Sequence, residues 1–91
     1  MNTAISFRVS GRVQGVGFRA FVRSTGQQYG LAGWVKNEVD GTVIGYVEGD
    51  QGLIVDFLKA VHIGNRWSSV EALNQTVQPY SGDLESFEIR Y

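Results

Sequence analysis

The amino-acid sequence predicts an α+β sandwich in which two helices cover one face of an antiparallel sheet. Three observations lead to this prediction. Several segments alternate between apolar and polar residues, two segments repeat apolar residues at helical spacing, and glycine-rich stretches separate them. The order of these segments along the chain decides the topology.

A strand, a loop and a helix are expected first. Residues 5–10 alternate between apolar and polar side chains, which is typical of a half-buried strand. Three glycines between 11 and 17 interrupt the alternation and indicate a loop. From Phe18 to Tyr29 apolar residues recur at helical spacing, and Gly30 stands where a left-handed residue commonly ends a helix.

A hairpin and a second helix are expected next. Residues 31–36 and 42–47 predict two strands, and the Asp40-Gly41 dipeptide between them is a strong signal for a short turn. Asp50 is suited to begin a helix, because its carboxylate can accept hydrogen bonds from the first free amides. Apolar residues at helical spacing then continue as far as Gly64, where the helix is predicted to end.

Two further strands complete the predicted sheet. Residues 70–77 predict a fourth strand, residues 81–83 a turn, and residues 87–91 a short terminal strand. The order is therefore βαββαβ with a short C-terminal strand, which is the split βαβ, ferredoxin-like sandwich. No repeat or linker interrupts it, so residues 1–91 are expected to form a single domain.

The composition excludes several classes of protein. Hydrophobic residues make up 43% of the 91 residues and charged residues 19%, which favours a globular chain over a disordered one. The chain has no cysteine and no apolar run near the ~20 residues that cross a bilayer. Its first residues lack the basic and apolar regions of a secretory signal, so secretion is not expected. A net charge of -1 gives no overall attraction for nucleic acid. We therefore expect a cytoplasmic monomer without membrane or nucleic-acid partners.

Most residue patterns that support catalysis are missing. The single histidine, His62, falls near the end of the second predicted helix, where a surface residue is favoured over a general base. No group of residues has metal-ligand spacing, and no serine stands in a nucleophile-elbow motif. An enzyme with this sequence would have to work by positioning and electrostatics, without metal or cofactor.

The glycine-rich segment that leads into the first helix is the most informative one. Glycines allow successive backbone N–H groups to turn inward as an anion-binding nest, and the helix start adds unpaired N–H groups. Arg19, in the first helical turn, can give a bidentate guanidinium to the same anion. The alternative is a tight turn with a surface arginine. Residues 15–20 also fit a relaxed dinucleotide-binding motif, but the βαβαβ order that this motif needs is absent.

Three stretches resemble a known family. They are residues 9–19 (VSGRVQGVGFR), residues 30–37 (GLAGWVKN) with 40–43 (DGTV), and residues 87–91 (FEIRY). The first two are similar to the two signatures of the acylphosphatases, and the third is similar to the usual ending of that family. The resemblance spans essentially the whole chain, and two long motifs at this separation are very specific.

The resemblance implies a metal-independent hydrolase that converts acyl phosphates into a carboxylate and inorganic phosphate, with phosphate or sulfate as competing anions. Arg19 and Asn37 are then the expected catalytic residues: the guanidinium holds the phosphate, and the amide positions the attacking water. Such a reaction depends mainly on in-line placement and charge neutralisation. Without the resemblance, Asn37 would be interpreted as a turn residue. The expected phosphate-binding residues are Gln14, Gly15, Val16, Gly17, Phe18 and Arg19.

Two departures from the family pattern are evident. Glu38 stands where a small hydroxylated residue is common, and its charge would weaken anion binding if the side chain pointed inward. Residues 64–70 replace a stretch that usually contains proline, so Trp67 is expected to pack differently or to lie exposed. Neither departure falls on the loop, Arg19 or Asn37, so activity is expected to survive.

Two other functions are compatible with part of the sequence. Acylphosphatase-like domains also begin large hydrogenase-maturation proteins, where a non-catalytic role is an alternative, although a fold that is complete at Tyr91 favours an independent protein. RNA-binding domains share the βαββαβ order but need aromatic residues on the third strand, and residues 42–47 offer only Tyr46.

Trp34 is expected in the core because of its size.

Overall fold

Five strands and two helices make up the computed structural model, which describes all 91 residues. Their order confirms the predicted βαββαβ arrangement with a short C-terminal strand. The main differences lie at the strand ends, where the first, third and fourth strands extend beyond their predicted limits. The elements are β1 (Asn2–Arg12), α1 (Phe18–Gln28), β2 (Ala32–Asn37), β3 (Val43–Asp50), α2 (Gln51–Ile63), β4 (Ser69–Gln78) and β5 (Phe87–Arg90).

The strands form one sheet in the order β4-β1-β3-β2-β5. The first four strands pair antiparallel, as predicted for the split βαβ sandwich. β5 instead joins the edge of β2 in parallel, which makes the sheet mixed. Each of these two strands therefore ends at the same side of the sheet.

The core lies between the helices and one face of the sheet. Ile5, Phe7 and Val9 alternate with more exposed residues along β1 and are buried, as the period of the sequence predicts. Phe57 of α2 joins them: its ring centroid lies 5.9 Å from that of Phe7 and 5.5 Å from that of Phe87. Burial of these side chains holds both helices to the sheet.

Trp34 does not lie in the core, so the expectation based on its size was wrong. Its neighbours Gly33 and Val35 are buried, and strict alternation along β2 turns Trp34 to the face without helices. There it is half-buried opposite Tyr46, and the guanidinium of Arg90 lies 4.9 Å from its ring centroid. The strand register, which the residue type alone does not reveal, decides the face.

The helix ends follow the predicted local chemistry. The carboxylate of Asp50 accepts a hydrogen bond of 3.2 Å from the amide of Leu53 at the start of α2. After α1, Gly30 has a φ of 68°, and the amide of Leu31 donates to the carbonyl of Gly26. Neither helix is long and apolar enough to cross a membrane.

A buried carboxylate fixes the connection from β4 to β5. These strands form opposite edges of the sheet, so residues 79–86 cross the face without helices. Glu48 on that face is only 2% exposed and accepts hydrogen bonds from the Tyr46 hydroxyl (2.8 Å) and from the Ser81 amide and hydroxyl. Burial raises the pKa of Glu48, but the hydrogen bonds outweigh burial and leave the pKa below its ordinary value.

We expect Glu48→Gln to lower the free energy of unfolding by about 1–3 kcal/mol at neutral pH, because the charged acceptor of these hydrogen bonds is lost. A carboxyl whose folded-state pKa is lowered stabilises the fold above its unfolded pKa, and this stabilisation is lost as the pH falls through the folded-state value. The difference between wild type and variant should therefore narrow on acidification below pH 4.5, in urea unfolding followed at several pH values.

The matched control is Glu88→Gln, which removes an exposed glutamate paired with Arg90. This change should alter stability by no more than about 0.5 kcal/mol. A Glu48 variant with wild-type stability at neutral pH would show that the buried carboxylate does not anchor the crossing segment.

Candidate active site

Four segments converge at one side of the sheet. β1 runs into the loop before α1, β2 ends at Asn37, and the parallel β5 brings Tyr91 to the same side. A pocket of about 270 Å³ lies between them. Its lining residues are Val13, Gly15, Gly17, Phe18, Arg19, Ala20, Asn37, Ile89 and Tyr91.

The loop before α1 adopts a conformation that requires glycine. Gly15 and Gly17 have φ values of 74° and 72°, in the left-handed region where residues with a side chain are disfavoured. Gly17 directly precedes α1, and no side chain caps the helix start. The first intrahelical hydrogen bond is donated by Phe21, so the amides of the first turn keep free N–H groups. This end of the helix attracts an anion.

Arg19 projects from the first turn of α1 into the pocket. Its guanidinium lies 5.0 Å from the ring centroid of Tyr91, a cation–π contact that orients the side chain. No carboxylate lies within 4.0 Å of Arg19, and its N–H groups donate no hydrogen bond within the protein. The fork of donors is therefore free to bind an oxyanion.

Asn37 lies across the pocket from the helix start, at the end of β2. Alternation along the strand places it on the same face as Val35, which packs against the helices. The Oδ1 atom of Asn37 is buried and has no hydrogen-bond partner in the protein. Such an acceptor costs about 1–3 kcal/mol unless it binds a donor, so the amide is suited to hold a water or ligand.

Gln14 links the loop to the β2–β3 turn through its side chain. Its Nε2 atom donates to the carbonyl of Glu38 at 2.7 Å and to that of Thr42 at 2.9 Å. Among the predicted loop residues, Gly15, Gly17 and Phe18 line the pocket, whereas Gln14 and Val16 do not. The side chain of Gln14 therefore fixes the distance between the loop and the end of β2.

Glu38 does not point into the pocket. It follows Asn37, so alternation turns it to the opposite side, where it lines a separate shallow depression with Arg8 and Asp40. The turn beyond it is held by Asp40, whose carboxylate accepts hydrogen bonds from the hydroxyl (2.6 Å) and amide (3.0 Å) of Thr42. These bonds lower the pKa of Asp40, and Arg8 adds to the effect. The side chain of Glu38 therefore does not point at an anion bound in the pocket.

Ile89 and Tyr91 are pocket residues that the sequence did not single out. Alternation along β5 places them on the helix side of the sheet, and Tyr91 is paired with Arg19. The motif 87–91 was visible in the sequence, but its neighbour in the sheet was not. Only the parallel pairing with β2 reveals that these side chains reach the helix start.

No other region offers a comparable set of groups. A larger pocket of about 450 Å³ lies on the face without helices, but no helix start or unpartnered buried polar atom faces it. His62 is exposed and lines a shallow depression on α2, away from Asn37. No group of three or more His, Cys, Asp or Glu residues is arranged to hold a metal.

Comparisons with known proteins point to one family. The family model described as acylphosphatase matches residues 5–89. An acylphosphatase from Nocardioides sp. is 42% identical over 90 residues, which are 99% of this chain and 90% of that protein. The crystal structure of acylphosphatase from Bacillus subtilis has a TM-score of 0.94 and 38% identity, with complete coverage of both chains.

A larger protein contains a similar unit. The crystal structure of full-length HypF in its phosphate- and nucleotide-bound form matches with a TM-score of 0.83 and 28% identity. The match covers 100% of this chain and only 12% of the HypF chain. The family model itself matches nearly the whole sequence. The chain belongs to the acylphosphatase family.

Proposed function

We propose that this protein hydrolyses acyl phosphates to a carboxylate and inorganic phosphate at the pocket around Arg19 and Asn37. One observation carries the proposal: a glycine loop, a guanidinium with free donors and a buried amide oxygen without a partner converge on one pocket. Membership of the acylphosphatase family supports the reaction. The single domain, residues 1–91, supplies every group that the mechanism uses.

The substrate phosphate binds where the loop meets α1. Its oxygens accept hydrogen bonds from the free amides of the loop and the first helical turn, and the fork of Arg19 binds two of them. These contacts hold the phosphate group and neutralise its charge in the bound substrate as well as in the transition state, and phosphoryl transfer depends mainly on such neutralisation and on in-line placement. Inorganic phosphate and sulfate present the same oxygens and therefore compete for the pocket.

Asn37 positions the nucleophile. Its unpartnered Oδ1 accepts a hydrogen bond from a water molecule, which holds the water oxygen toward the phosphorus. The water oxygen forms a bond to phosphorus, and the bond from phosphorus to the acyl oxygen breaks with its electron pair. The carboxylate leaves, and the proton of the water passes to a phosphate oxygen of the substrate. A carboxylate is a weak base, so no strong general base is needed.

We expect Arg19→Ala to lower kcat/KM for benzoyl phosphate by roughly 10²- to 10³-fold and to weaken phosphate inhibition, because the charge and the fork of donors are lost together.

Asn37→Ala should lower kcat by roughly 10²-fold, because the placement of the water is lost. The inhibition constant for phosphate should stay at its wild-type value, because the anion-binding groups remain. Both values come from steady-state hydrolysis with inorganic phosphate as the competitor.

Matched controls are available for both substitutions. Arg23→Ala removes an exposed arginine one turn further along α1, and Asn74→Ala removes an exposed asparagine on β4. Both controls should keep wild-type kinetics. Folded wild-type protein that binds phosphate but never turns over would leave only a non-catalytic anion-binding domain.

Removal of metal ions should leave the reaction unchanged. Because the charge on the phosphate is neutralised by Arg19 and backbone amides, kcat and KM measured in excess EDTA should equal those measured without it. Loss of activity in EDTA, restored by added divalent cation, would contradict the proposed mechanism.

Tyr91→Ala should raise KM by roughly 2- to 5-fold with little change in kcat, because the ring that orients Arg19 is lost. Tyr91→Phe keeps the ring face and should behave as wild type. The matched control is Trp67→Ala, since that exposed ring makes a similar contact with Arg66 outside the pocket. Equal KM values for the alanine and phenylalanine variants would show that the ring does not orient Arg19.

A further inference from the structure

The segment after α2 contacts the loop between β1 and α1 directly. Asn65 is half-buried, and its Nδ2 atom donates a hydrogen bond of 2.9 Å to the carbonyl oxygen of Val16. The two residues are 49 positions apart in the chain. No other side chain donates a hydrogen bond to a carbonyl of the loop between β1 and α1.

This hydrogen bond fixes the orientation of one peptide group. The chain has no cis peptide bonds, so the carbonyl of Val16 and the N–H of Gly17 point in opposite directions across one planar unit. Gly17 lines the pocket, whereas Asn65 does not. A carbonyl held outward by Asn65 therefore leaves the Gly17 N–H directed to the pocket side of the loop.

Asn65 is itself held in place. The hydroxyl of Ser68 accepts a hydrogen bond of 3.0 Å from the backbone N–H of Asn65 and donates one of 3.1 Å to the backbone carbonyl of the same residue. A Cβ atom at Gly17 would lie 3.9 Å from Nδ2 of Asn65, so the side chain packs against the loop. The contact therefore ties the segment after α2 to the loop between β1 and α1.

The other half of the Asn65 amide is not satisfied. Its Oδ1 atom is buried and has no hydrogen-bond partner in the protein, which costs stability. This cost offsets part of the stability that the Nδ2 hydrogen bond contributes. The donor at Nδ2 is the part of the side chain that matches a need of the site.

We propose that Asn65 is a positioning residue for phosphate binding, which orients the Val16–Gly17 peptide so that its N–H faces the bound anion. The inference rests on the proposed function, because it assigns a role to the same anion-binding loop. An N–H aligned with a phosphate oxygen binds substrate and transition state alike, so its loss raises KM and leaves kcat nearly unchanged.

The first test uses inorganic phosphate as the probe. In wild type, titration with phosphate followed by ¹H–¹⁵N NMR should shift the Gly17 amide resonance more than resonances of β4. In Asn65→Ala this shift should shrink, the phosphate dissociation constant should rise roughly 10-fold, and KM for benzoyl phosphate should rise in parallel. Ser68→Ala should change both constants in the same direction by a smaller factor, because it loosens Asn65 without removing its donor.

Arg66→Ala is the matched control, since it changes an exposed neighbour of Asn65 and should keep wild-type constants. A merely structural role for Asn65 would lower the urea midpoint and leave the phosphate affinity of the folded protein unchanged. Wild-type phosphate affinity in folded Asn65→Ala, or an unshifted Gly17 amide in wild type, would overturn the inference alone. Wild type that neither binds phosphate nor hydrolyses benzoyl phosphate would overturn the proposed function and the inference together.

Discussion

The parallel pairing of β5 with β2 is the constraint on which the site depends. It places Tyr91 beside the end of β2 and the start of α1, so that one ring can orient Arg19. The pairing requires a chain segment that crosses the sheet, and the buried carboxylate of Glu48 binds that segment. It also requires space, because a Cβ atom at Gly26 or at Gly33 would overlap the ring of Phe87. Packing far from the pocket therefore positions its wall.

The pocket concentrates polar groups that the fold leaves unsatisfied. The free amides of the first helical turn, the donors of Arg19 and the Oδ1 atom of Asn37 all lack partners in the protein. The buried Oδ1 atom costs stability in the free protein, and in the proposed mechanism each of these groups gains a partner when an anion and a water molecule bind. At the opposite end of the sheet the buried polar group has partners within the protein, because the carboxylate of Glu48 accepts hydrogen bonds from Tyr46 and Ser81.

The sequence predicted local structure well and long-range neighbours poorly. Alternation, helical spacing, the Asp50 cap and the left-handed Gly30 depend on adjacent residues, and the structure agrees with each of them. The face of Trp34 and the partner of β5 depend on strand register, which a single sequence does not encode locally. For the site, the resemblance supplied Arg19 and Asn37, whereas the contributions of Tyr91 and Asn65 arise from contacts between residues far apart in the chain.

The loop between β1 and α1 combines flexible residues with external support. Its left-handed glycines permit the turn but also make the unfolded chain more flexible, so the conformation needs external contacts. Gln14 binds the loop to the end of β2, and Asn65 binds it to the segment after α2. The two supports act on opposite sides of Gly15, which fixes the loop before any anion arrives. In the proposed mechanism a phosphate therefore meets amides that are already oriented, and this preorganisation would let backbone groups and one arginine neutralise the charge that other phosphatases neutralise with metal ions.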